Sequence, residues 1–313
     1  MKIRTVFMGS PDFAIPTLKF LAENTSIAGV VTQPDRPAGR GRSLTSPPIK
    51  VLAVELGLSV IQPRRLKEPE AVQQLKDWKP ELIVVAAFGQ ILRPEVLDLP
   101  VYGCINIHAS LLPRWRGAAP IQAAILHGDA VSGVTIMLMD AGIDTGPVLS
   151  QKAIPILSDD TSASLSGRLA ELGANLLGLT LPGYLSGKIK PQPQDEFSKV
   201  QATYAPMLKK EDGLLDFNQE ASELERRVRA FNPWPGAFMA WQGQNLKIIN
   251  AHVVEQLNSS IRVSAPPGQP VVYQGLPALT TCRGLLVIDE LQPAGKKPLP
   301  GAVYLRGARH WRK

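Results

Sequence analysis

"ELIVVAAFG", residues 81–89, runs seven apolar residues in a row between a glutamate and a glycine. A strand with one wet face alternates apolar and polar side chains, so an unbroken run of this kind belongs to a strand covered on both faces. Comparable strand candidates lie on either side, at 3–8, 27–32, 104–108 and 134–139, with the quoted run supplying 82–87. Helical patterns at 16–22, 49–56 and 68–78 separate them. This alternation predicts a doubly wound, mostly parallel α/β sheet with helices on both sides. Ligands of such sheets sit at the carboxyl ends of the strands. "DDTSASLSGRLAELGANLLGLTLPGYL" (159–185) then reads as a helix capped by Asp160 or Thr161 and stopped at Pro182-Gly183.

The texture changes after Gly187. "KIKPQPQDEFSKVQATYAPML" (188–208) is proline-rich and polar, the composition of a linker. One further helix follows, with Ala221, Leu224, Val228 and Phe231 on one face and Asn232-Pro233 ending it. From Gly236 onward, short alternating runs broken by proline and glycine predict a small β-barrel or sandwich. The expected organisation is a domain over 1–189, a linker over 190–208 and a second domain over 209–313.

The totals agree with two globular domains. The chain has 313 residues, 44% of them hydrophobic, enough for two cores and far from disordered or coiled-coil composition. No apolar run approaches the roughly 20 residues that span a bilayer. "MKIRTVFMGSPDF" enters a strand directly, without a signal or transit segment, so a cytoplasmic location is expected. Cys104 and Cys282 are too isolated for a disulfide framework or a zinc site. The net charge of +7 points to a polyanionic partner. From Tyr204 onward there are 14 basic and 9 acidic residues, which places most of the excess in the last third. A second basic concentration falls in "PDRPAGRGRSLTSPPIK" (34–50), where Arg36, Arg40, Arg42 and Lys50 face only Asp35.

The chemistry is concentrated in "CINIHASLLPRWRGAAPIQ" (104–122). Asn106 and His108 are two apart on a strand and share a face. Both are expected at the carboxyl edge of the sheet. "GVTIMLMDAGIDTGPVL" (133–149) reads as another strand feeding a loop with Asp140 and Asp144, where Gly142 and Gly146 allow tight turns. A carboxylate beside His108 would fix its tautomer and make it a proton carrier. An asparagine amide is a neutral donor suited to an oxyanion. Together the three fit attack by a neutral nucleophile on a carbonyl. Four scattered histidines lack metal-ligand spacing, and Ser110 has no nucleophile-elbow setting. "VFMGSPDFA" (6–14) has one glycine where a dinucleotide fingerprint needs three. Singly, each residue is an ordinary strand-end or loop residue; their common placement is what marks a site.

"INIHASLLPRWRGAAPI" (105–121) followed by "MDAGIDTG" (139–146) resembles the signature of the folate-dependent formyltransferases. The likeness extends over nearly the whole chain through "VFMGSPDFA", "QPDRPAGRGR", "AAFGQIL", "KKEDG" and "FNPWPGAF". The basic loop and C-terminal half narrow it to the branch that acts on initiator methionyl-tRNA. The resemblance implies a Rossmann-like catalytic domain and a C-terminal oligonucleotide-binding-like (OB-like) barrel. It implies 10-formyltetrahydrofolate as co-substrate, with no tightly bound cofactor, no metal and no membrane, in a monomer. It maps the catalytic set onto Asn106, His108 and Asp144. The folate site maps onto Phe88, Gly89, Gln90, Ile91, Leu92, Ser110, Leu111, Leu112, Pro113 and Asp140, largely through backbone atoms. Arg36, Arg40 and Arg42 would meet tRNA. Two departures are Arg42-Ser43, where the family's loop often has more bases, and Phe217, where tryptophan is common. Arg114 and Arg116 are read either as phosphate or carboxylate partners or as plain surface. Phe13, Trp115 and Trp234 are read as packing residues, of the core or of a pocket for the methionine side chain, and not as base-stacking platforms. Rival readings are a formyltransferase for a small amine, a formyltetrahydrofolate hydrolase, which would carry an N-terminal regulatory domain, and a non-catalytic tRNA-binding module.

Overall fold

The protein is described by a computed structural model covering residues 2–38, 43–255 and 265–312. Its residues fall into two compact units. The first comprises Met1–Pro120, Val131–Pro155 and Ser166–Pro206, the second Ile121–Ala130, Ile156–Leu165 and Met207–Lys313.

Seven strands form the sheet of the first unit: β1 (Arg4–Gly9), β2 (Ser26–Val31), β3 (Val60–Ile61), β4 (Leu82–Ala86), β5 (Cys104–His108), β6 (Val131–Leu138) and β7 (Val148–Pro155). Their order is β7-β6-β5-β4-β1-β2-β3. β4, the heart of the quoted run, is buried at every residue and lies between β1 and β5, parallel to both. That central position is why its sequence lacks alternation: both faces are covered. Val6, Met8, Val31, Leu75, Trp78, Ile83 and Val85 pack in one core cluster. The helices α1 (Ile15–Asn24), α2 (Pro48–Glu55) and α3 (Pro69–Trp78) occupy the three segments with helical patterns.

Helix α4 (Ser162–Leu185) approaches the sheet closely enough that a Cβ on Gly173 would stand 2.8 Å from Ile107 Cγ2. Glycine at this point lets the helix backbone lie directly on β5. The helix does not stop at Pro182 as expected. The ring lies within the final turn, where the lost backbone donor removes one hydrogen bond near the helix end. The chain turns at Gly187 (φ 73°), with Lys188 N donating to Gly183 O at 2.8 Å.

Two features of the sheet depart from a uniformly parallel layer. β6 runs antiparallel to β5, and β7 antiparallel to β6. β7 is a half-exposed edge strand with polar and apolar residues mixed, and its sequence has no strong apolar run to announce it.

The second unit contains α5 (Ala221–Ala230) and a six-stranded antiparallel sheet. The strands are β8 (Ala237–Trp241), β9 (Gln244–Val254), β10 (Pro270–Tyr273), β11 (Leu276–Thr280), β12 (Leu285–Pro293) and β13 (Leu299–Pro300). The order is β8-β9-β12-β11-β10, with β13 also paired to β12. Ala221, Leu224 and Val228 of α5 are buried, as is Phe231 just beyond it, which is the face the periodicity predicts. Leu224 and Val228 join Met239, Ile248, Leu279, Leu286, Ile288 and Trp311 in one core. The Trp311 indole donates to Val271 O at 3.0 Å, satisfying the polar atom of a side chain only 1% exposed. Trp234, in contrast, is 53% exposed and not a core residue, whereas Phe13 and Trp115 are buried. Among the described residues no helix is long and apolar enough to cross a membrane.

Candidate active site

β5 places Asn106 mid-strand, paired with Val85 and Met137, and His108 at its last position. The segment after it is pinned to the neighbouring strands. Thr135 Oγ1 donates to Ser110 O at 2.6 Å and accepts from Leu112 N at 3.1 Å. Gln151 Nε2 donates to Leu112 O at 2.6 Å. The Ser110 hydroxyl is itself buried and donates to Arg114 O at 2.6 Å, so it is committed to shaping this loop. Trp115 adopts a left-handed conformation (φ 59°) that turns its carbonyl toward His108.

His108 Nε2 lies 2.9 Å from Trp115 O. A carbonyl oxygen only accepts, so this contact assigns the proton to Nε2 in the neutral ring. Nδ1 is then the bare nitrogen, and it faces Asp144 Oδ2 at 3.6 Å, beyond ordinary hydrogen-bond distance. Asp144 Oδ2 accepts from Gly117 N at 2.8 Å, and Asp144 Oδ1 accepts from Asn106 Nδ2 at 3.3 Å. The histidine side chain is 6% exposed and the carboxylate 17%, so their interaction is shielded from bulk water.

The three side chains therefore meet, but not by the route the sequence suggests. Because β6 is antiparallel, its carboxyl end lies beside Ile105, away from His108. Asp144 reaches the histidine because residues 139–147 double back. The left-handed residue of that loop is Asp144 (φ 52°), not either of its glycines. Gly142 and Gly146 supply room instead: a Cβ on Gly146 would collide with Leu138 O, and one on Gly142 with the Thr145 hydroxyl.

The other anticipated residues occupy varied positions. Phe88, Gly89, Gln90, Ile91 and Leu92 follow β4. Phe88 and Leu92 are buried, Ile91 is 75% exposed, and Gly89 has φ 75°. The Gln90 side chain accepts from Leu66 N at 2.7 Å. Ser110, Leu111, Leu112 and Pro113 form the pinned segment after His108. Asp140 Oδ1 accepts from Gly142 N at 3.0 Å and Thr145 Oγ1 at 2.7 Å, so this carboxylate organises its own loop. Arg36 is exposed and donates to Gln33 Oε1 at 2.6 Å; Arg40 and Arg42 lie outside the described residues. Arg114 stacks on Trp115 with its guanidinium carbon 4.3 Å from the ring centroid. Arg116 donates to Gln194 Oε1 through both Nε and a terminal nitrogen, at 3.1 and 2.6 Å.

Two groups at the site are backbone atoms, Trp115 O and Gly117 N, and carry no side-chain signature. The glycine at 117 was the available signal, since at φ 113° only a residue without Cβ is unstrained. Cys104, on the same strand, is no nucleophile: burial, with the Asp98 charge adding to it, pushes its thiol up to about 12. Among the described residues no group of three or more His, Cys, Asp or Glu side chains is placed to hold a metal ion.

Residues 1–181 match the family profile described as "Formyl transferase", and residues 207–309 match "Formyl transferase, C-terminal domain". The chain is 47% identical to the methionyl-tRNA formyltransferase of Roseiflexus castenholzii, over 99% of this chain and 97% of that one. It is 46% identical to the methionyl-tRNA formyltransferase of Myxococcus xanthus, over 97% and 95%. The chain belongs to the formyl transferase family.

Its fold is also that of HypX from Aquifex aeolicus, solved in complex with tetrahydrofolic acid (TM-score 0.64, 18% identity). That likeness covers 99% of this chain but 48% of HypX, so this formyl transferase spans about half of HypX's length. The two family profiles leave residues 182–206 between them, the stretch that contains Gln194.

Gly117 gives a direct test of how tightly this formyl transferase site is built. A Cβ there would stand 2.6 Å from Ala205 O, on top of the positive φ. Gly117→Ala is expected to cost ~1–3 kcal/mol of local strain and to swing the N–H away from Asp144. Turnover then falls at least about tenfold, alongside a lowered unfolding midpoint by calorimetry. Unchanged turnover would remove the Gly117 N–H from the account.

Proposed function

We propose that this chain transfers the formyl group of 10-formyltetrahydrofolate to the α-amino group of initiator methionyl-tRNA. The observation that carries the chemistry is the Asp144 carboxylate, reached by Gly117 N, Asn106 Nδ2 and, across 3.6 Å, His108 Nδ1. The relatives that share nearly its full length, at 46–47% identity, bear the name of that reaction.

The amine attacks the formyl carbon, forming a C–N bond while the carbonyl electron pair moves to oxygen. The Asn106 amide has a second N–H to offer this oxyanion, a donor worth ~10²–10³ in rate. The new bond leaves an excess proton on the incoming nitrogen. His108 Nδ1 takes it, and the imidazolium so formed draws onto Asp144 Oδ2, closing a gap of 3.6 Å. The proton then passes to N10 of the folate as the C–N10 bond breaks. One proton leaves the amine and one reaches the leaving nitrogen, giving the formylated amide and tetrahydrofolate. An α-amine with a pKa near about 8 is partly neutral at pH 7, so no strong base is needed. The segments Phe88, Gly89, Gln90, Ile91, Leu92 and Ser110, Leu111, Leu112, Pro113, with Asp140, would line the folate site.

Arg36, Arg40 and Arg42, with the basic C-terminal third, would hold the tRNA through phosphates, so KM for the tRNA rises steeply with salt. Arg42→Ala is expected to raise KM for methionyl-tRNA several-fold and leave folate affinity unchanged. Equal losses for both substrates, or none, would contradict that role. All three proposed catalytic side chains come from one chain, so the reaction needs no second subunit, and the enzyme is read as a monomer acting in the cytoplasm, where translation takes place. Labelled 10-formyltetrahydrofolate, offered methionyl-tRNA beside small amines and amino sugar nucleotides, tests the assignment. Label in the tRNA supports it; label only in a small amine, or only in formate, rejects it.

A further inference from the structure

Gln194 sits in the proline-rich stretch whose composition reads as a linker, yet it is only 4% exposed. It opens the short helix Gln194–Phe197, directly after Pro193. Its side-chain amide is saturated. The nitrogen donates to Asp144 O at 2.8 Å and Gly146 O at 2.9 Å. The oxygen accepts both bonds from Arg116, at 3.1 and 2.6 Å. Arg116 lies between the residue whose carbonyl holds His108 and the residue whose N–H holds Asp144. One buried amide thus ties together the two loops that meet at the histidine.

The same stretch continues along the histidine-side loop. Thr203 Oγ1 accepts from Trp115 N at 2.9 Å, and Thr203 O from Arg116 N at 2.9 Å. Ala205 O accepts from Ala118 N at 2.9 Å, and Tyr204–Ala205 pair in parallel with Arg116–Gly117. Trp115, Gly117 and Asp144 all have positive φ. For the two that carry a Cβ, this conformation is strained and persists only where surrounding contacts impose it. The strap 194–205 makes those contacts.

Resting on the function proposed above, we propose that Gln194 is a positioning residue for formyl transfer, fixing the Asp144 backbone so that its carboxylate faces His108. No other neutral side chain except asparagine offers two donors and an acceptor in one plane. Glutamate would still accept from Arg116 but would set a carboxylate oxygen against two carbonyls. Methionine would fill the volume and make none of the four bonds.

The test measures single-turnover formyl transfer by the full chain in wild type, Gln194→Met, Gln194→Glu, Asp144→Ala and the Gln194→Met/Asp144→Ala double variant. Both Gln194 variants should lose ~10–10² in the transfer rate, the penalty of an ångström-scale misplacement. KM for both substrates should stay within about twofold. In the Asp144→Ala background, Gln194→Met should cause no further loss, because the two act as one unit. The His108 ring resonances, followed by NMR without substrate, should move in Gln194→Met as they do in Asp144→Ala. This last readout stands whichever amine is the acceptor, so it separates failure of this inference from failure of the assigned reaction. A near-normal rate in either Gln194 variant, the same fractional loss with and without Asp144, or unmoved His108 resonances would overturn it. Loss of folding alone would leave the transfer rate of the folded fraction, titrated by folate binding, at the wild-type value, and that too would overturn it.

Discussion

His108→Gln lowers the rate of formyl transfer by ~10²–10⁴ while the protein remains folded and binds 10-formyltetrahydrofolate with near-normal affinity. Glutamine is the informative replacement because its amide can still donate to Trp115 O, the bond that anchors Nε2 at 2.9 Å. What it cannot do is accept a proton from the incoming amine and return it to the leaving folate nitrogen. A variant that kept the anchor and lost the rate would therefore locate the loss in proton transfer and not in loop geometry. His108→Ala should be as slow and also less stable, since it leaves a cavity and an unsatisfied carbonyl in a position only 5% exposed. Turnover within tenfold of wild type in the glutamine variant would remove His108 from the reaction.

Asp144→Ala should have an effect of at least the same size, ~10²–10⁴ in rate, for a different reason. The carboxylate holds three groups: the Gly117 N–H, the Asn106 amide and, as the reaction proceeds, the protonated ring of His108. Removing it frees the oxyanion donor, loosens the loop after Trp115 and deprives the transient imidazolium of its counter-charge. Asp144→Asn keeps the shape and removes the charge. It should be nearly as slow, because an NH₂ group must then face either the Asn106 amide or, at the other oxygen's place, both the Gly117 N–H and the ring. The two variants compared by single-turnover kinetics separate shape from charge. If Asp144→Asn retained most of the rate, the carboxylate would be a loop brace only.

Much of this was written in the sequence, for identifiable reasons. The unbroken run at Leu82–Ala86 announced a doubly covered strand because burial on both faces removes polar residues from both. The spacing of Asn106 and His108 announced a shared face because the strand period is two. The direction of β6 was not legible: an apolar strand reads the same whichever way it runs, and only the pairing of Ile105 with Leu138 reveals that it is antiparallel. Asp144 was legible as a residue and not as a route, since the fold-back that delivers it depends on close packing at Gly142 and Gly146. Trp115 O and Gly117 N are backbone groups, invisible in any residue alphabet. Gln194 was hidden by its neighbours. Proline and charge around it have the composition of a tether, and a single buried amide among them leaves no periodic trace.

The mechanism turns on which ring nitrogen of His108 carries the proton before substrate arrives. Nitrogen-15 NMR of the histidine rings, at a pH where this ring is neutral, answers that directly, with His108→Gln supplying the assignment. The expected result is an N–H resonance at Nε2, held by the Trp115 carbonyl, and an unprotonated Nδ1 facing Asp144. A neutral ring protonated at Nδ1, with Nε2 bare, would contradict it.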